Sequence, residues 1–90
     1  MALKSFQNIK EFSVACSAVI EASPSTCARF EVGRSWAQYK LFVDDEDFVA
    51  VRWVNHLEFD NPELSVTMSS YSPTEKQIQL YKHMIRSLSV

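Results

Sequence analysis

Phe6, Ile9, Phe12, Cys16, Val19 and Ile20 recur at spacings of three and four, which sets them along one stripe of an α-helix. Ser5 stands before the stripe as an N-cap, and Ala22-Ser23-Pro24 ends it, because Pro24 lacks a donor and biases Ser23 away from helical dihedrals. The pattern predicts a helix over 6–22. From Thr26 the period falls to two, with Ala28, Phe30 and Val32 on one face and Cys27, Arg29 and Glu31 on the other. Gly33-Arg34-Ser35 separates this strand from the next and reads as a short hairpin loop, with Gly33 able to supply a positive φ. A second strand runs from Trp36 to Val43, and Asp44-Asp45-Glu46-Asp47 then forces a tight, solvated reversal by self-repulsion and Asp turn chemistry.

Phe48-Val49-Ala50-Val51-Arg52-Trp53-Val54 has the strongest β character and reads as the sheet centre. Asn55 to Pro62 carries loop residues, after which Leu64, Val66 and Met68 alternate with Ser65, Thr67 and Ser69. Ser72-Pro73-Thr74-Glu75 matches a helix start, with a Ser cap, Pro at the first helical position and Glu at the third. Ile78, Tyr81, Met84, Ile85 and Leu88 follow at helical spacing, so the second helix runs from 73 to near the C-terminus. The order α-β-β-β-β-α with short connections favours a four-stranded antiparallel meander. Both apolar stripes are buried most simply with the two helices on one face, an α+β two-layer sandwich formed by residues 1–90 as a single domain.

The other sheet face is then open. Parity assigns it Arg29, Glu31, Trp36, Gln38, Lys40, Phe42, Arg52, Ser65, Thr67 and Ser69, with Phe48, Ala50 and Val54 beside Arg52. Arg34 in the adjoining loop adds a cation. Arg29, Glu31, Arg34, Trp36, Gln38, Lys40, Phe42 and Arg52 are the candidate contact residues, because cations, amides and aromatic rings on one surface suit a protein partner or RNA.

Composition narrows the chemistry. Nine Lys and Arg against eleven Asp and Glu give a net charge of −2, so no overall positive field gathers nucleic acid or an anionic membrane. No apolar run is long enough to span a bilayer, and Lys4, Lys10 and Glu11 interrupt the first 20 residues, unlike a signal peptide; no membrane contact and a cytoplasmic location are expected. Cys16 and Cys27 lack C-x-x-C spacing and read as buried free thiols. A Cys27–His56 pair across the sheet is the only nucleophile arrangement, with nothing to orient the base. His83 flanks a helix stripe, the carboxylate run lacks the spacing of a calcium loop, and one Gly in the chain permits no phosphate-cradling loop. No catalytic residue, metal or cofactor is assigned.

Lys10-Glu11-Phe12, then Ala15, Ala22, Pro24, Cys27 and Arg29, is similar to the first helix and first strand of the small Alu-domain subunit of the signal recognition particle. Ile78, Tyr81, Ile85 and Leu88 have spacing similar to that family's last helix. The resemblance implies an α-β-β-β-α fold that works as a heterodimer and contacts RNA through its sheet, with Arg29, Lys40 and Arg52 as the RNA-facing residues. This chain is longer by about a strand between Asp44 and Ile78, has a shorter first hairpin, and lacks the family's basic character.

The leading expectation is therefore a small non-enzymatic protein-binding module, an adaptor or an inhibitor such as a viral antagonist of a host defence complex. It docks a sheet face or edge on a larger protein or ribonucleoprotein assembly. An RNA-contacting subunit is the alternative. A homodimer that closes the open face or pairs edge strands is a third.

Overall fold

The computed structural model describes residues 2–44, 46–56 and 61–90. Six elements follow one another: α1 (Ile9–Glu21), β1 (Cys27–Val32), β2 (Trp36–Phe42), β3 (Phe48–His56), β4 (Asn61–Met68) and α2 (Glu75–Ser87). The strands form one antiparallel sheet in the order β1-β2-β3-β4, the meander expected from the short connections. Both helices lie on the same face. Phe12 and Cys16 of α1 and Leu80 and Met84 of α2 share a core with Ala37, Tyr39, Leu41, Val49, Val51, Trp53 and Val66, all on the odd or inward side of β2 and β3 or its partner side of β4. Tyr39 ties the sheet to α1 through its ring against Phe12 and its hydroxyl to Ser13 Oγ at 3.0 Å. His83 Nε2 of α2 meets the Val19 carbonyl of α1 at 3.0 Å, joining the two helices.

Both helices start later than the sequence pattern predicts. α1 is capped by Asn8, whose Oδ1 accepts the Glu11 amide at 2.9 Å, while Glu11 reaches back to the Gln7 amide. Ser5 is not the cap, because the residues on either side of it are tied to partners elsewhere in the fold. The Lys4 amide donates to the Leu88 carbonyl, and the Phe6 carbonyl accepts from Trp53 Nε1 at 2.8 Å. α2 is capped by Thr74 rather than Ser72, its hydroxyl accepting the Gln77 amide. Pro73 thus precedes the cap instead of opening the helix. Gln77 cannot close a capping box because its side chain is buried and donates to the Phe48 carbonyl at 2.9 Å.

β3 and β4 are longer than expected. Asn55 and His56 extend β3 and pair with Pro62 and Asn61 of β4, where the sequence predicts a loop; residues 57–60 lie outside the described residues. β4 is an edge strand, where a proline with its missing N–H toward solvent costs no ladder bond.

The β2–β3 reversal is an Asp turn. Asp44 Oδ1 accepts the amides of Asp47 at 2.9 Å and Glu46 at 3.0 Å; Asp45 lies outside the described residues. Those two bonds, Asp47 first, hold the Asp44 carboxyl below its usual range. The unfolded chain lacks them and titrates at about 3.9. The folded value is the depressed one, so the stabilisation is complete above the unfolded pKa and is lost as pH falls through the folded one. Asp44→Ala is therefore expected to lower the urea midpoint at pH 6, with the gap to the wild type narrowing as the pH falls below the unfolded value of about 3.9; a gap independent of pH would contradict this account of the turn.

Candidate functional site

Register builds the open face in cross-strand rows. Cys27, Phe42 and Phe48 form one row; Arg29, Lys40, Ala50 and Thr67 the next; then Glu31, Gln38, Arg52 and Ser65; and finally Trp36, Val54 and Glu63. Of the candidate residues, Arg29, Glu31, Trp36, Gln38, Lys40, Phe42 and Arg52 are brought together on this surface. Phe48 and Val54 join them half-buried, and Ala50 is buried beneath its neighbours.

Direct opposition of Arg29 and Lys40 sets two like charges across one pair, which is unfavourable if both side chains stand upright. Each leans diagonally onto a ring one row away. The Arg29 guanidinium lies 5.6 Å from the Phe42 ring centre and the Lys40 ammonium 5.1 Å from that of Phe48. Lys40 also meets Glu31 at 3.5 Å. Arg52 leans the other way, 4.7 Å from the Trp36 ring, and donates to Gln38 Oε1 at 3.3 Å. Each such stack is worth about 0.5–1 kcal/mol at an exposed site, enough to orient a side chain that would otherwise sample many rotamers. Phe42 and Phe48 pack at 5.6 Å between centres, closing the row at the β2–β3 end. The face is thus an ordered array of rings with cations laid across them. The pairing direction was not readable before register was known, since parity alone says only which side chains share a face.

Gly33 serves Trp36. A Cβ at Gly33 would stand 2.0 Å from the Trp36 Nε1, so glycine leaves room for the indole to lie across the turn; its backbone is not in the positive-φ region that the hairpin reading allowed for. Arg34 departs from the expected set. It stands at the hairpin tip and lines a groove with Lys10, Asn8, Trp53 and Asn55, on the helix side of the sheet. Turn residues carry no strand parity, so the sequence could not assign its side.

Cys27 is exposed, against the expectation of burial, because β1 is an edge strand whose end has no cover on the open face. Cys16 is buried, and desolvation pushes its thiol up to about 12, leaving it protonated at neutral pH. Cys27 and His56 do not meet. Cys27 shares a row with Phe48, at the opposite end of β3 from His56, and His56 instead contacts Glu63 at 3.0 Å. No thiol–imidazole pair exists there to carry nucleophilic chemistry.

No helix among the described residues is long and apolar enough to cross a membrane. Comparison with family models, with curated proteins and with solved structures gives no match. The sheet has four strands, one more than the resemblance to the small Alu-domain subunit implies, and β4 falls between Asp44 and Ile78, where this chain is the longer.

Proposed function

We propose that the protein is a non-enzymatic binding module that docks the open face of its sheet on a larger protein partner. The observation that carries this reading is the array of three cation–ring stacks spanning β1 to β3. Aromatic residues and arginine dominate the energetics of protein interfaces, and here they are already oriented, which reduces the entropy lost on docking. Charge favours protein over RNA. Arg29, Lys40 and Arg52 share the face with Glu31 and Glu63, so a phosphate backbone would meet carboxylates as well as cations. An RNA-contacting subunit remains the second reading, favoured by the Trp36 ring on which a base could stack.

Affinity purification from lysate treated with ribonuclease separates the two. The wild type and Val14→Glu, altered on the exposed outer side of α1, are expected to recover the same protein in stoichiometric amount, and Trp36→Ala/Arg52→Glu to lose it. Equal recovery by the open-face variant overturns the docking surface. Recovery abolished by ribonuclease, together with RNA binding that weakens steeply with salt, replaces this reading with the RNA one.

A further inference from the structure

The two edges of the sheet are built differently. Along β4, the Ser69 amide bonds to the Phe48 carbonyl, which fixes the ladder phase and turns the backbone of the even residues Pro62, Leu64, Val66 and Met68 toward the free edge. Pro62 removes a donor there, a common protection against further pairing. Along β1, the Gly33 amide bonds to the Trp36 carbonyl, so Ala28, Phe30 and Val32 turn their N–H and C=O groups outward, and no proline interrupts them. No other strand among the described residues pairs with this edge. On the helix side, Phe30 and Val32 remain 43% and 55% exposed, because α1 packs over Tyr39 and leaves the outer strand uncovered.

We propose that this edge pairs with the same edge of a second copy, antiparallel about Phe30, to form a two-fold dimer with one continuous eight-stranded sheet. The outward groups require even residues to pair with even residues, which leaves three central registers. Centring between Ala28 and Phe30 sets Arg29 against Arg29 of the second copy, and centring between Phe30 and Val32 sets Glu31 against Glu31. Only the register centred on Phe30 places Arg29 opposite Glu31 twice. These are non-hydrogen-bonded pairs, where side chains lie closest. In that register Phe30 meets Phe30 and Ala28 meets Val32 on the helix side, covering the exposed apolar strip. About six backbone hydrogen bonds form, from Ala28, Phe30 and Val32 of each chain. The charge order along β1 therefore selects one register and one occupant. The pairing is independent of the docking role of the open face, which it would double in width.

The test is sedimentation equilibrium of the whole chain across a concentration series from micromolar upward. The wild type is expected to rise from the 10.3 kDa monomer toward twice that mass. Arg29→Glu and Glu31→Arg, each placing like charges opposite one another, are each expected to weaken self-association roughly tenfold or more. Mixed together they are expected to associate as a heterodimer, because both pairs are then opposite in sign. Val32→Pro, which removes an outward donor without touching the β1–β2 ladder, is expected to stay monomeric with an unchanged circular dichroism spectrum. A nitroxide on exposed Cys27 reads the register, the two backbones lying roughly 20 Å apart when Phe30 is central and about 7 Å nearer or farther in the other two. A wild type that stays monomeric throughout overturns the proposal. So does a dimer indifferent to the charge variants, which would place self-association on another surface.

Discussion

Phe12→Ala is expected to lower the unfolding free energy by about 3–5 kcal/mol, the range for truncating a fully buried aromatic ring. Phe12 is fully buried, and its ring packs on both Phe6, at 6.1 Å between centres, and Tyr39, at 5.7 Å. It therefore joins three parts of the chain: the N-terminal segment, α1 and β2. Removing it leaves a void between layers and loosens the Ser13–Tyr39 contact beside it. A domain of this size has a total stability of roughly 5–15 kcal/mol, so the variant sits near the threshold of folding. Urea unfolding followed by circular dichroism measures it. A loss below about 1 kcal/mol would mean that α1 does not depend on this contact.

Arg52→Ala is expected to weaken the protein partner by roughly 30-fold, the effect of losing one central arginine anchor at about 2 kcal/mol. Arg52 stands on a central strand and is held by both Trp36 and Gln38. Truncation removes the anchor and frees the indole at once. Arg52→Lys keeps the charge but loses the planar stack and the directed bond to Gln38, so it is expected to recover only part of the affinity. Titration calorimetry with the purified partner reads both. Full recovery by lysine would show that charge alone matters, which is the behaviour expected of phosphate contacts.

The open face follows from the sequence because a strand period of two fixes parity: with Leu41, Val49 and Val51 facing the helices, Lys40, Phe42 and Arg52 have to point outward. The meander followed from short connections. Helix starts did not, because several Ser, Thr and Asn residues stand close together in each case. Asn8 and Thr74 are selected by tertiary bonds, Trp53 Nε1 donating to the Phe6 carbonyl and the Lys4 amide to the Leu88 carbonyl, and by burial of Gln77, none of which a local pattern contains. The Asn8–Glu11 spacing was itself a capping signal that the apolar stripe starting at Phe6 overrode. The meander already made β1 an edge, but exposure of Phe30 and Val32 on its helix side required knowing that α1 does not cover it. The diagonal lean of each cation onto a ring required register, which alternation leaves undetermined.

The two tryptophans report on opposite sides of the sheet. Trp36 lies across the open face under Arg52, while Trp53 is buried on the helix side with its indole N–H bonded to the Phe6 carbonyl. Their indole N–H signals, followed by NMR during titration with the purified protein partner, place the contact directly. Docking through the open face shifts or broadens the Trp36 signal together with those of Val54 and Phe48 and leaves Trp53 unchanged. A Trp36 signal that stays fixed while residues on the outer sides of α1 and α2 move would put the partner on the helices and contradict the account.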